Sequence, residues 1–79
     1  MKVKVKLFGT LGQDFPEYDS LKGLDVNIPD DARVKDLLAH LDIPKTKGVM
    51  VTMNNTIAKP TDKLVNEATI QIFQALAGG

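Results

Sequence analysis

The sequence predicts an α+β domain in which one helix packs across a mixed β-sheet of four to five strands. Five short segments have the alternating or β-branched pattern of strands, whereas one segment alone has the apolar spacing of a helix. The chain has 79 residues, which is room for one domain only. One helix laid across one sheet is the natural way to cover so few apolar faces.

Two strands are predicted before the helix. Residues 2–8 alternate between an apolar face and a face with three lysines, which is typical of a half-buried strand. Residues 24–28 alternate again and end at a proline. Residues 9–23 connect the two strands, and so long a loop is unusual in so small a domain.

The helix is predicted near residues 32–42. Four apolar residues follow the i, i+3, i+4, i+7 spacing of one helix face: Val34, Leu37, Leu38 and Leu41. Asp30 and Asp31 precede them. Negative charge at this position stabilises a helix start, because the first N–H groups of a helix have no backbone partner. Pro44 ends the segment.

The second half of the chain predicts three more strands. Residues 49–53 form the third strand, residues 54–55 a tight Asn-Asn turn, and residues 56–58 a short return strand. Residues 61–68 are predicted to be irregular, with one helical turn around residues 62–65, and residues 69–73 form the last strand. The first and last strands have the cleanest apolar faces, so we expect them at the centre of the sheet.

This order of elements is that of a ubiquitin-like β-grasp domain, which we expect over residues 1–73 with a flexible tail at residues 74–79. The tail ends in Gly78-Gly79, and two residues without Cβ can thread a narrow channel. The Gly79 carboxylate is ionised at neutral pH and can attack the α-phosphate of ATP. A sulfur, thiol or amine nucleophile can then open the acyl-adenylate. We therefore expect Gly79, with Gly78, to carry the chemistry.

The composition excludes several function classes. Ten basic and ten acidic residues give no net charge, which argues against a nucleic-acid binder, so the lysines of the first strand are expected to meet solvent or an acidic partner surface. There is no cysteine and only one histidine, so we expect no metal site and no thiol nucleophile. No apolar run is long enough to span a membrane, and we expect a cytoplasmic protein.

Four stretches carry a family resemblance: residues 6–9, 28–38, 51–55 and 72–79. They contain a strand that ends in Phe-Gly, a strand-to-helix passage, a valine-rich strand with an Asn-led turn, and a Phe-to-Gly-Gly ending. In these stretches the chain resembles the ubiquitin-like sulfur carriers, and most of all the small subunit of molybdopterin synthase. The similarity covers essentially the whole chain.

The chain departs from the family pattern at several positions. Arg33 stands where the family has a Thr helix cap, so Asp31 or Asp36 must supply the cap. The other replacements are Asn55 for the turn Gly, Glu67-Ala68 for Gly-Asp, and Gln74-Ala75 for Pro-Pro.

The resemblance implies a two-stage cycle. An E1-like activating enzyme adenylates Gly79 with its own ATP, and a sulfur donor of the cysteine desulfurase or rhodanese type converts it to a thiocarboxylate. The carrier then docks on the large subunit of molybdopterin synthase and gives its sulfur to a pterin precursor. The chain itself is expected to bind no cofactor and to leave catalysis to its partners.

A docking patch is also predicted. Phe8 and Phe73 are out of phase with the inward residues of their strands, so both are expected on the sheet face away from the helix. We expect them to form an apolar patch for partners together with Leu76 and Ala77. The alternative is that Phe15 or Tyr18 of the long loop covers them as a second small core.

Three other functions remain open at this point. The same tail chemistry serves a sulfur carrier for the thiazole of thiamine, against which the long loop argues. It also serves a protein modifier that forms isopeptide bonds. A non-catalytic β-grasp interaction module is the fourth possibility, and only that one tolerates removal of the tail.

Overall fold

The computed structural model describes residues 1–9, 22–43 and 48–74. Their elements, in chain order, are β1 (Lys2–Leu7), β2 (Leu24–Asn27), α1 (Val34–His40), β3 (Val49–Met53), β4 (Thr56–Ala58) and β5 (Thr69–Gln74). The predicted β-grasp class is confirmed, since the five strands form one mixed sheet and a single helix packs on it. No helix in these three ranges is long and apolar enough to cross a membrane.

The sheet has the strand order β2-β1-β5-β3-β4. β1 and β5 run parallel, while the other neighbouring strands pair antiparallel. The first and last strands therefore lie inside the sheet, as their apolar faces predict. Gly23 leads into β2 with φ +72, and a Cβ there would lie 2.7 Å from the Val5 carbonyl oxygen. Only glycine fits so close to the neighbouring backbone.

One face of the sheet, the inner face, packs against α1 and forms the core. β1 shows the alternation directly, because every second residue is buried. The most deeply buried large side chains come from β1, α1 and β5: Val3, Val5, Val34, Leu37, Ile70 and Ile72. We call the opposite face, which carries Lys2, Lys4 and Phe8, the outer face.

The helix begins two residues later than predicted. Arg33 is the N-cap residue with extended backbone, and its N–H donates to Asp36 Oδ2 at 2.8 Å. Asp36 is therefore the capping carboxylate, whereas Asp31 is exposed and takes no part in the cap. Asp30 instead accepts a hydrogen bond from the Met1 ammonium at 2.8 Å, and this hydrogen bond and positive charge lower the pKa of Asp30. The predicted stop at Pro44 lies outside the described residues.

The Asn-Asn turn is confirmed. Asn54 and Asn55 have φ values of 50° and 69°, the left-handed conformation that a two-residue hairpin turn between β3 and β4 requires. The Asn54 side-chain oxygen also accepts a hydrogen bond from the Thr69 N–H at 3.0 Å. The turn is thereby tied to the start of β5.

The helical turn expected at residues 62–65 is wrong. Lys63 pairs with Arg33 in an isolated β-bridge, and the Leu64 N–H donates to the Ala32 carbonyl at 3.0 Å. The Asp62 carboxylate accepts a hydrogen bond from the Lys59 N–H at 2.7 Å. The backbone groups that a helical turn would use internally are bonded to the segment before α1 instead.

Most of the long connection predicted at 9–23, including Phe15 and Tyr18, falls outside the described residues. β5 extends through Gln74, the residue at which the tail is expected to begin. The tail residues from 75 onward, with Leu76, Ala77, Gly78 and Gly79, also lie outside the described part of the chain.

Candidate functional site

The parallel pairing of β1 and β5 brings two phenylalanines together. Leu7 pairs with Ile72, so the residues that follow them, Phe8 and Phe73, lie side by side. The Phe8 N–H donates to the Ile72 carbonyl at 3.0 Å and holds the register. The two rings stack with centroids 4.6 Å apart and an angle of 14° between their planes. Both residues lie on the outer face, as their phase predicts.

The stacked pair belongs to a wider apolar surface. Met50 of β3 pairs directly with Phe73 and is 45% exposed, while Ile57 on the neighbouring edge strand β4 is 69% exposed. Phe8 is 38% exposed and Phe73 is half-buried. We call these four residues the apolar band. Phe8, Phe73 and Met50 form one row across the sheet that covers two strand spacings, about 9 Å. Ile57 lies one row away, because it pairs with Thr52.

Sequence reasoning missed Met50 and Ile57, because a methionine in a strand more often packs in a core. The alternation of β3 could have predicted that Met50 faces outward, because Val49 and Val51 on either side of it face the core. The pairing of Met50 with Phe73 depends on the strand order, which local patterns do not reveal.

Polar residues border the apolar band on the outer face. Lys6 pairs with Gln71, and the Thr52 hydroxyl donates to the Gln71 side-chain oxygen at 3.0 Å. Next to them lies the lysine row, which we define as Lys2, Lys4 and Lys6. The Lys2 ammonium lies 3.8 Å from the Asp25 carboxylate, with both side chains more than half exposed.

The apolar band lies beside the C-terminal end of β5. Gly9 follows Phe8 with φ +71, and a Cβ added there would touch the Gln74 side chain at 3.4 Å. Gln74, the last residue of β5, therefore lies close to Gly9, next to the stacked phenylalanines. Gly78 and Gly79 follow four and five residues later in the sequence.

In residues 1–9, 22–43 and 48–74, no three His, Asp or Glu side chains come together as a metal site would need. His40 is exposed on α1, and Asp30 and Asp31 are exposed before it.

A model of the ThiS family matches residues 5–79 of this sequence. The chain belongs to the ThiS family. This match begins within β1 and includes all the later strands, α1 and the Gly-Gly ending. Proteins of the ThiS family are ubiquitin-like sulfur carriers and are generally activated by E1-like enzymes. No curated protein matches the sequence.

Solved structures share the fold of this ThiS-family chain at low sequence identity. SAMP1 from Haloferax volcanii matches with a TM-score of 0.73 at 19% identity, with 100% of both chains covered. A protein assigned as subunit 1 of a molybdopterin converting factor, from Pyrococcus furiosus, gives 0.71 at 19% identity over 94% of this chain and 97% of its own. A second structure, of small archaeal modifier protein 1 from H. volcanii, gives 0.71 at 19% identity, covering 91% and 94%.

Proposed function

We propose that this ThiS-family chain carries sulfur on its C-terminal Gly79 and serves as the small subunit of molybdopterin synthase. The observation that carries the proposal is a β-grasp domain of this family whose last strand leads into Gly78-Gly79. In this proposal the partners bind the folded domain, and the reacting atoms belong to the terminal carboxylate.

The proposed cycle uses ATP only on the activating partner. The Gly79 carboxylate attacks the α-phosphorus of ATP, and pyrophosphate leaves. The cysteine persulfide of a desulfurase or rhodanese then attacks the acyl-adenylate, and AMP leaves. A second thiol on a partner cleaves the S–S bond of the resulting acyl disulfide, which releases the thiocarboxylate and leaves a disulfide between the two partner cysteines. The chain has no cysteine, so no thiol of its own can capture the activated carbonyl.

Two observations favour the molybdopterin pathway over the thiamine pathway. The segment between β1 and β2 is long, since β1 ends at Leu7 and β2 begins at Leu24. The P. furiosus protein assigned to a molybdopterin converting factor also shares the fold over nearly the whole chain. Turnover of a pterin precursor by the thiocarboxylated chain with a molybdopterin synthase large subunit tests this choice. Faster turnover with a thiazole synthase would overturn it.

The first prediction concerns Gly79 itself. When the chain is expressed with the activating enzyme of its own genome, we expect its C-terminal peptide to have one carboxylate oxygen replaced by sulfur. Trypsin releases residues 64–79 as one peptide without methionine, so methionine oxidation, which adds nearly the same mass, cannot imitate the signal. Deletion of Gly79 should abolish the signal.

A matched control separates the carboxylate from the shape of the tail. Gly78→Ala keeps the terminal carboxylate but adds a Cβ, so we expect slower activation without loss of the chemistry. A chain that keeps only free carboxylate in the presence of an activating enzyme of proven activity would contradict the proposal.

A protein modifier is the second candidate, because two structures that share the fold are those of SAMP1 and small archaeal modifier protein 1. The same acyl-adenylate would then pass to a lysine amine. Covalent adducts in which residues 64–79 are attached to a lysine of another protein would favour this candidate. Such adducts should also disappear when Gly79 is deleted.

The apolar band supplies the proposed docking surface for these partners, together with Leu76 and Ala77 of the tail. Aromatic residues and methionine are enriched at the centres of protein interfaces, and the band contains both. It lies beside Gln74, where the described chain leads into the tail. A partner that packs on the band is thus positioned to receive the tail.

The second prediction tests this docking surface. Phe73→Ser removes one ring of the stacked pair, and we expect affinity for the activating enzyme to fall at least tenfold, since central aromatic residues contribute about 1.4 kcal/mol or more. Val65→Ser is the matched control, because Val65 is 54% exposed but lies outside the band. Equal affinities of the two folded variants would contradict the docking role.

A further inference from the structure

One side of the β2 backbone has no strand partner in the described part of the chain. β2 lies at one end of the sheet order and pairs with β1. Met1 and Ile28 exchange two hydrogen bonds there, since the Ile28 N–H donates to the Met1 carbonyl at 2.9 Å and the Met1 ammonium donates to the Ile28 carbonyl at 2.7 Å. In an antiparallel pair such bonded positions alternate with non-bonded ones. Asp25 and Asn27 therefore point their N–H and C=O groups away from β1, toward the edge of the sheet.

A groove of about 580 Å³ lies on the inner side of this edge, between the end of β2 and α1. The side chains of Ile28 and Ala32 give it an apolar lining, and the exposed Asp31 and Asp36 also line it. His40 is the remaining titratable group among the described lining residues, which include no lysine or arginine. The groove therefore combines an apolar floor with negative charge, which favours a basic side chain.

The Ile28 end of this groove lies far from the end of β1 where the tail begins. Ile28 is bonded to Met1 before β1, whereas Gln74 lies beside Gly9 after β1. The seven residue steps from Met1 to Phe8 cover about 23 Å of extended chain. A protein bound at the edge of β2 thus leaves the proposed docking surface beside the tail accessible.

We propose that the free edge of β2 binds an extended segment of a partner protein that places a basic side chain over the groove. This inference goes beyond the proposed function, because it does not involve the tail. The segment adds to the sheet as a further strand whose backbone pairs with Asp25 and Asn27. An apolar side chain packs beside Val26 and Ile28, and a basic side chain on the same face reaches Asp31. Main-chain hydrogen bonds give such strand addition its affinity, and alternate side chains give it specificity.

A second copy of this chain fits the edge poorly. Two β2 edges side by side would bring Asp25 and Asp31 of both copies together, and like charges at facing positions destabilise a sheet. β2 has only four residues, and a short edge strand with a charged side chain limits pairing between identical chains. A basic segment of another protein meets no such repulsion.

The probe is a seven-residue peptide with both ends blocked, Lys-Thr-Val-Thr-Val-Thr-Lys. In a strand its lysines and valines lie on one face and its threonines on the other. The sequence reads the same in both directions, so it fits parallel and antiparallel addition alike. An NMR titration of the isotope-labelled full chain gives the dissociation constant and the amides that respond. We expect saturable shifts at Asp25 and Asn27 with the peptide at concentrations up to about 2 mM.

Two N-methylated peptides test the backbone pairing without any change to the protein. One carries methyl groups on the amides of its threonines, and the other on those of its valines. Strand addition uses only one of these two sets, because successive residues of a strand point their N–H groups to opposite sides. We expect one methylated peptide to bind within about threefold of the parent and the other to bind at least about tenfold more weakly. Equal effects of the two sets would overturn the proposal, as would the absence of saturable shifts with the parent peptide.

The charge of the groove is tested from both sides of the complex. A peptide with glutamates in place of the lysines should bind at least about fivefold more weakly at low salt. Asp31→Asn should weaken binding of the lysine peptide about threefold, and the matched control Asp42→Asn should not, since Asp42 is equally exposed but does not line this groove. Both differences should shrink to less than about twofold in 0.5 M NaCl, because salt screens exposed charges. Equal binding of the two peptides, or equal effects of the two variants, would overturn the proposal.

A chain that ends at Gln74 separates this edge from the tail. We expect it to bind the lysine peptide as tightly as the full chain does, whether or not Gly79 carries sulfur. Loss of peptide binding in the shortened chain would assign the interaction to the tail and overturn the proposal. Shifts centred on Met50 and Phe8 instead of β2 would also overturn it, because they would place the peptide on the apolar band.

Discussion

Glu67 has a left-handed backbone with φ 63°, a conformation that glycine adopts without strain. It stands where the resembling sequences carry glycine, and so does Asn55 of the hairpin turn with φ 69°. Both positions therefore have a backbone conformation that favours glycine. The Glu67 N–H donates to the Lys2 carbonyl at 2.6 Å, which ties the strained residue to β1.

The third prediction follows from this strain. The left-handed conformation costs an L-residue about 1–2 kcal/mol, and the greater freedom of glycine in the unfolded chain offsets about 0.4–1 kcal/mol. We therefore expect Glu67→Gly to raise the free energy of unfolding by about 0.5–1 kcal/mol. Asn55→Gly should gain less, because Asn tolerates positive φ. Urea denaturation measures both, and a less stable Glu67→Gly variant would refute the argument.

The cap of α1 shows how an element compensates for an unfavourable residue. Arg33 cannot accept a hydrogen bond from the first turn, yet the Asp36 carboxylate three residues later accepts the Arg33 N–H. This is one half of a capping box. The helix has only seven residues, so its start depends strongly on this bond and on packing against the sheet.

The fourth prediction is that Asp36→Ala lowers the free energy of unfolding by about 0.5–2 kcal/mol, the usual range for loss of a cap. Asp31→Ala removes the same group from an exposed neighbouring position that takes no part in the cap, and we expect a change below about 0.5 kcal/mol. Chemical denaturation with matched slopes for both variants measures the difference. If both variants lose a similar free energy of unfolding, the cause is the lost negative charge and not the lost cap.

The elements that were predictable are those whose pattern is local. The alternation of β1, the apolar spacing of α1 and the Asn-Asn turn each depend on a few neighbouring residues. The extended path of residues 62–65 was not predictable, because its bonds run to Arg33 and Ala32, some thirty positions away in the chain. The place of Met50 beside Phe73 likewise depends on which strands become neighbours.

At the scale of the whole molecule, the described core and the proposed reaction site are separate in the sequence. The buried core residues that the structure describes all lie at or before Ile72. The chemistry proposed for the chain lies at Gly79, seven residues further on. Apolar alternation in the sequence predicts the core, which the structure confirms. The glycine pair at positions 78 and 79 predicts the reaction site, and that stays a prediction.

The fifth prediction uses this separation. A chain that ends at Gln74 keeps all six strand residues of β5, so we expect its free energy of unfolding to change by less than about 0.5 kcal/mol. Activation by an E1-like enzyme should be lost completely, because the carboxylate then lies too close to the sheet. Thermal denaturation and ATP–pyrophosphate exchange measure the two properties. A large loss of stability would show that the tail packs on the domain.

The register of the sheet also bears on how this surface changes over evolution. Positions 8, 50 and 73 are far apart in the chain, yet strand pairing makes them neighbours in one row. A partner that packs against this row constrains the combined shape of the three side chains. A smaller side chain at one position is then tolerated in natural relatives when a neighbour becomes larger, so substitutions at these positions should covary.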